Sequence, residues 1–425
     1  MSGLIDAAEA IVLFIVVLGV LVVFHESGHF FTARLARVRV LEFGFGFPPR
    51  AKVMREGPVD PDVQARWERK RAELLAQAGD DEAQVSLVEA MPGPVGMQYT
   101  LNWLPIGGFV KLEGEDGDQD DDPRSFSRAR LPVKLLILLM GVVMNLVLSV
   151  LIFGGIAFFG SPYVGIQFAE VEQGSPAATV GLQAGDTIVS IDGQMYDFYA
   201  TRYADGSALD QLRAHAGQTI QLGVIHADGT TSTIPVTLRT PAEIKANAAD
   251  CARSSSLCKG VLGIKAGDTG FKPVFLPQSM SRPLGESLQI GWSETTYWFS
   301  AIIDGLASLG SSIVNNPTTA PPVSGPVGIA TSLGDTFRNE GPLMTLYVAG
   351  ILSANLALVN VLPFPPLDGG RMLVIVLKAI PGVGRRISLR AEQLTYAIGF
   401  VALFGFIIWV TFFDIARGLG GGGTP

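Results

Sequence analysis

Charge is what this sequence has least of. Only 16% of its 425 residues are Asp, Glu, Lys or Arg, against roughly 25% in an average soluble domain. That scarcity, with a positive mean hydropathy, argues against an ordinary soluble protein. Basic residues number 31 against 39 acidic ones, a balance that argues against a nucleic-acid partner. The amino end lacks the basic stretch of a secretory signal and carries Asp6 and Glu9 instead. No small-residue cleavage site follows its apolar core, so the first hydrophobic segment is expected to stay in place as a helix. Cysteine is nearly absent. Cys251 and Cys258 stand seven residues apart with no histidine nearby, which argues against a zinc site built on them. A small disulfide loop is the expectation for that pair, two free thiols the alternative.

What the chain has instead is apolar length. Hydrophobic residues make up 48% and gather in four runs: 10–33, 135–159, 343–362 and 395–413. Each is near the ~20 residues needed to cross a bilayer as a helix. Arg34, Arg37, Arg39, Arg50, Lys52 and Arg55 follow the first run, and Arg124, Arg128, Arg130 and Lys134 precede the second. Arg371, Lys378, Arg385, Arg386 and Arg390 lie between the third and fourth. The positive-inside rule puts both connections in the cytoplasm, both termini outside, and the long segment between runs two and three outside as well. A bacterial cytoplasmic membrane is the expected location, with the lipid bilayer as a partner.

Between the spans, residues 58–90 are charged and rich in helix formers, which predicts a solvated helical insertion. Tyr99 to Trp103 and Phe109 to Leu112 are strand-like and flank a Pro-Gly-Gly turn region; they predict a β hairpin that dips into the membrane against protein. The acidic run 113–122 lacks the Asp-x-Asp-x-Asp-Gly register of a calcium loop and is expected to be solvated. Residues 286–309 have an amphipathic pattern broken by Glu286, Glu294 and Asp304, which predicts a helix on the outer membrane surface. "YVGIQFAEVEQGSPAATVGLQAGDTIVSIDG", 163–193, resembles a PDZ domain of the permuted bacterial type that extends to about residue 240. That resemblance implies a peptide-receiving loop and edge strand at Tyr163, Val164, Gly165 and Ile166, open to peptide carboxyl ends by β-augmentation.

The chemistry lies in "VVFHESGHFFTARL", 22–35, where His25, Glu26 and His29 interrupt an apolar run. Ionisable groups there are costly and point to function. Residues four apart share one helix face, so the two imidazoles can converge on one metal ion. Zinc takes histidine nitrogen readily, and Glu26 beside the first ligand suits a general base. The candidate for a third ligand lies in "NLALVNVLPFPPLDGGRM", 355–372, where Pro363, Pro365 and Pro366 break a helix just ahead of Asp368; a helix-ending turn with a solvated aspartate is the alternative. Gly369 and Gly370 would permit the turn that aims its carboxylate. Both motifs fall toward the inner ends of their spans.

Together these motifs resemble the site-2 protease family of intramembrane zinc proteases, and with the PDZ-like segment they are most similar to its regulator-of-sigma-E protease group. The resemblance covers nearly the whole chain. It implies Zn2+ held by His25, His29 and Asp368, and Glu26 as the catalytic glutamate. It implies Asn360 and Asn355 as groups that contact substrate or the oxyanion, with interhelical packing as their alternative role. Gly141 and Asn145 match a small-x-x-x-polar stretch of the family's second helix, and Phe43 to Phe47 its membrane-associated β elements. The expected fold is a mainly α-helical membrane protein: four transmembrane helices, a membrane-associated β hairpin and an extracytoplasmic PDZ-like α+β domain. In segments, 1–36 is the first span, 37–133 a cytoplasmic loop and 134–160 the second span. The PDZ-like domain takes 163–240, a connector 241–342, and the last two spans 343–420. The implied activity is cleavage of transmembrane protein substrates, an anti-sigma factor or remnant signal peptides among them. An inactive PDZ scaffold and a metal transporter are the competing classes. The first is disfavoured by the complete ligand set, the second by the few polar residues in spans two and four.

Overall fold

The computed structural model describes residues 2–79, 81–91, 93–115, 122–199, 208–246, 260–266, 271–315, 321, 323–383 and 387–419. Cys251 and Cys258, and the disulfide expected of them, lie outside these residues. Along the chain run α1 (Ser2–Leu35), β1 (Val40–Glu56), α2 (Pro61–Ala78), α3 (Glu82–Glu89), β2 (Gln98–Leu112) and α4 (Leu131–Phe159). Then come β3 (Ser161–Gln167), β4 (Glu170–Val171), α5 (Pro176–Thr179), β5 (Thr187–Ile191), α6 (Ala208–Ala214), β6 (Thr219–Ile225), β7 (Thr231–Thr237) and α7 (Pro241–Ala246). The chain ends with β8 (Ile264–Lys265), β9 (Lys272–Met280), α8 (Leu284–Asn315), α9 (Pro326–Glu340), α10 (Pro342–Val361), α11 (Asp368–Ala379) and α12 (Leu389–Leu419). Two compact units result: Met1–Ile152 with Trp292–Pro425, and Phe153–Gly291.

Among the described residues four helices are long and apolar enough to cross a membrane: Ile5–Leu35, Leu131–Phe159, Pro342–Val361 and Arg390–Arg417. These are the four spans expected. Their small amphipathicity fits helices surrounded by apolar material on most sides. The insertion expected at 58–90 is present as α2 and α3, each opened by an aspartate: Asp60 accepts from the Asp62 amide and Asp81 from those of Ala83 and Gln84.

Three expectations change here. The halves of β2 do not form a simple hairpin with each other, because residues 42–45 of β1 pair with 98–101 and also with 108–111. A strand has two edges, so this part of β1 lies between the two halves. Residues 108–112 therefore keep an outer edge that no described strand occupies. The far end of this sheet exposes apolar side chains, Leu101 by 45%, Trp103 by 71% and Leu104 by 53%, as a surface facing lipid would.

Second, α8 does not lie apart on a surface. Glu294 and Thr295 are fully buried. Tyr347 of α10 donates its hydroxyl hydrogen to Glu294, Trp298 donates to the Tyr347 oxygen at 2.9 Å, and Thr295 meets Ser149 of α4 at 3.1 Å. Polar groups that water would otherwise satisfy are thus satisfied between helices. Third, the described ends of the acidic run are paired rather than solvated. Glu113 binds Arg39 at 2.7 Å, Glu115 binds Arg371, and buried Asp122 binds Arg66.

Among its described residues the second unit carries a five-stranded antiparallel sheet in the order β7-β6-β5-β3-β9 and the small pair β4-β8. Its core is built on Phe168, Leu182, Ile188, Leu212, Leu222, Val224 and Leu262, with α5 started by a Ser175 cap on the Ala178 amide. The edge strand expected at Tyr163–Ile166 is not an edge. β3 pairs with β5 on one side and, from Ser161 to Gln167, with β9 on the other. The sheet thereby draws a strand from beyond residue 240, out of the segment read as a connector.

The same junction holds a buried ion pair. Arg282 donates to both carboxylate oxygens of Asp197 at 2.7 and 2.9 Å, with side-chain exposures of 8% and 1%. These hydrogen bonds hold the guanidinium above its ordinary range. Removing one partner of such a pair leaves a buried charge uncompensated. Asp197→Ala is expected to destabilise this unit by about 3–5 kcal/mol, read as faster amide exchange across β3 and β9.

Candidate metal centre

The centre starts with a close approach of α1 and α4. A Cβ placed on Gly28 would run into the Met140 carbonyl group, and one placed on Gly141 would run into the rings of His29 and His25. Only glycine lets the two helices pass at this distance. From α4 three positions four residues apart then face the histidines. Ile137 accepts a hydrogen bond on its carbonyl from His29 Nδ1 at 2.8 Å, Gly141 makes room for both rings, and the Asn145 amide lies 3.4 Å from His25 Nδ1.

Asp368 arrives from the other end of the sequence. The prolines stop α10, and Asp368 is the first residue of the separate helix α11. Gly369 and Gly370 are needed for space rather than for an unusual backbone angle, since neither has a positive φ. A Cβ on Gly369 would strike the carbonyls of Val361 and Leu362, and one on Gly370 would strike the backbone of Phe364 and Pro365. Helix α11 thus begins pressed against the turn that ends α10. One turn on, Arg371 pairs with Glu115 and ties α11 to the segment after β2.

These elements bring His25 Nε2, His29 Nε2 and Asp368 Oδ2 into a triangle. Its sides are 3.2 Å between the rings and 3.0 and 3.3 Å from the carboxylate to His25 and His29. All three residues are buried. The His29 Nδ1 proton is committed to a carbonyl, so its Nε2 presents a lone pair. Asp368 Oδ2 is enclosed and forms no hydrogen bond of acceptable geometry. Lone pairs facing each other in a buried space call for a cation. Zinc bonds of about 2.0–2.1 Å in tetrahedral geometry imply ligand-to-ligand distances of about 3.3–3.4 Å. The triangle has that size, so the donor set fits zinc.

Glu26, half-buried on the same helix, is not part of the triangle. Its Oε2 accepts a hydrogen bond from the Val110 amide of β2 at 3.1 Å. The outer edge of residues 108–112 therefore faces this carboxylate, a contact that backbone chemistry hides from sequence reading. Asn355 and Asn360 lie half-buried near the end of α10, Asn360 one residue ahead of the carbonyl that packs on Gly369. Tyr163 to Ile166 belong to the other unit. Beside Val110 opens a cavity of about 1100 Å3, walled in part by Lys111, Lys134 and Tyr396 and by the pairs Glu115–Arg371 and Lys378–Glu392.

Comparison with known proteins bears on this centre. The sequence profile of peptidase family M50 matches residues 13–57 and 87–406, and the interval between falls on α2 and most of α3. The zinc metalloprotease RasP of Geobacillus kaustophilus is 26% identical over 97% of this chain and 99% of its own length. A relative from Clostridium perfringens is 27% identical over 93% of this chain and 95% of its own. One from Clostridium acetobutylicum is 27% identical over 95% and 97%. The names of both also carry the words zinc metalloprotease.

The space at Gly141 gives a test. Gly141→Ala places a methyl group against both imidazoles, whereas the same change at Gly155 of α4 meets open space. Bound zinc per mole of purified protein is expected to drop about tenfold or more in the first and to stay at the wild-type level in the second.

Proposed function

This chain belongs to peptidase family M50, and from that premise we propose that it is an intramembrane zinc endopeptidase that cuts single-pass membrane proteins in regulated proteolysis. The observation that carries the reading is the triangle of His25, His29 and Asp368, which fits zinc and lies beside a glutamate on an apolar spanning helix. His25, His29 and Asp368 hold the ion. Bound there, zinc supplies the Lewis acidity that lets water attack a peptide carbonyl near neutral pH.

Every other part of the reaction falls to the chain. Glu26 takes the proton from the attacking water and passes it to the leaving amine. Asn360, with Asn355 behind it, donates to the developing oxyanion or to the substrate backbone. A transmembrane substrate hides its peptide bonds in its own helical ladder, so a stretch must be unwound and its backbone groups satisfied elsewhere. The outer edge of residues 108–112 can supply those partners by strand addition. The Val110 amide, now on Glu26, would turn to the substrate strand and release the carboxylate for its work as a base. The neighbouring cavity then receives the flanking part of the substrate.

The basic residues around the spans support placement in a bacterial cytoplasmic membrane with both termini outside and the centre toward the cytoplasm. The sheet unit falls in the long outer segment. Because β9 already occupies the edge beside Tyr163–Ile166, a filter that admits substrates by extracytoplasmic size is better supported than capture of a peptide end at that strand.

Zinc analysis and a cleavage assay in membranes with a single-pass model substrate test these roles together. Asp368→Ala is expected to lose zinc. Glu26→Gln should keep zinc while the cleavage rate falls about 10²- to 10⁴-fold. Val110→Pro removes an amide that points off the sheet, where proline is tolerated. It should keep zinc and lose about tenfold in cleavage. A wild-type protein that binds no zinc would instead favour the inactive scaffold.

A further inference from the structure

Asn145 takes no part in the reaction proposed for the centre, yet it lies against it. It is fully buried, its backbone carbonyl accepts from Ser353 of α10 at 2.8 Å, and its amide sits 3.4 Å from His25 Nδ1. With the amide nitrogen toward the ring, its Oδ1 is enclosed without any hydrogen-bond partner. A buried amide with an idle arm is costly, and its presence needs a reason.

The reason follows from the protons on the two rings. An imidazole has one lone pair for a metal, and the other nitrogen must then carry hydrogen. For His29 this is settled by the Ile137 carbonyl, which can only accept, so Nδ1 bears the proton and Nε2 faces the centre. His25 turns the same nitrogen, Nε2, toward Asp368. Its Nδ1 must therefore be a donor too, and the group that meets it must accept. An amide nitrogen donates and would force the proton onto Nε2, which would block the metal. Rotating the amide by half a turn exchanges its nitrogen and oxygen without changing its shape. With the nitrogen toward the ring the remaining arm has no partner, so nothing on that side holds the amide in this orientation, and the need of His25 for an acceptor decides.

We infer that Asn145 is a positioning residue for the metal centre: its side-chain carbonyl accepts the Nδ1 hydrogen of His25 and so fixes the ring with Nε2 free for zinc. It does for His25 what the Ile137 carbonyl does for His29. Two acceptors eight residues apart on α4 thus hold two ligands four residues apart on α1. Groups in this position commonly set metal affinity through the basicity and orientation of the ligand ring. The inference rests on the zinc reading of His25.

The test is zinc affinity of the full-length protein in detergent, by competition with a chelator of known strength, alongside the melting temperature of the zinc-free protein. Asn145→Leu keeps the approximate volume and removes the acceptor. Asn145→Asp keeps an acceptor and removes the amide donor. Affinity is expected to fall about 10- to 100-fold in Asn145→Leu and to stay within threefold of wild type, or rise, in Asn145→Asp. Wild-type affinity in Asn145→Leu, or an equal loss in both variants, overturns the inference while leaving the zinc reading intact. Should Asn145→Leu not fold, Asn145→Asp decides alone, since a donor role predicts loss and an acceptor role predicts retention. A wild-type protein without zinc overturns both readings together.

Discussion

The structure depends on two helices touching where side chains normally keep them apart. At Gly28 and Gly141 the separation between α1 and α4 is set by backbone atoms and imidazole rings rather than by aliphatic packing. Within a membrane, where apolar burial gives helices little reason to associate, small residues supply close packing instead. Here the closeness has a chemical use. It brings a main-chain carbonyl and an amide of α4 within reach of the outer nitrogens of two histidines, so both rings are held from behind.

The third corner of the centre is reached by a different device. An aspartate on the unbroken face of a spanning helix would have to project from its own ladder. Instead α10 stops, the chain turns through three prolines, and α11 starts again with Asp368 at its first position. Two glycines let the new helix begin against the old one, and Arg371 secures it to Glu115 from the stretch after β2. The centre thus draws on the first span, the second span and the region near residue 370, and is complete only when all three have assembled.

Much of this could be read from residue patterns because it rests on local rules. The spans follow from apolar length, the facing of His25 and His29 from the helical period, and the break before Asp368 from proline. Gly141 and Asn145 carried a signal as a spaced pair, though their use behind the histidines did not. What stayed hidden involves partners distant in sequence. Nothing in Val40–Phe45 says that it will separate the halves of β2, or in Glu294 that a tyrosine 53 residues later will meet it. The pairing of β3 with β9 is hidden for the same reason: strand content is local, and the neighbour of a strand is not. A backbone contact such as Val110 to Glu26 leaves no mark on residue identity at all.

The pairing of β3 with β9 has a consequence in time. β3 directly follows the second span, whereas β9 begins about a hundred residues later. At ~5–20 residues per second of synthesis, β3 waits about 5–20 s for its second neighbour. Through that interval the nascent chain presents a row of unpaired amides and carbonyls that any extended segment can match. The order of synthesis therefore makes β9 the closing piece of its sheet, and a ribosome pausing before residue 272 lengthens the exposure.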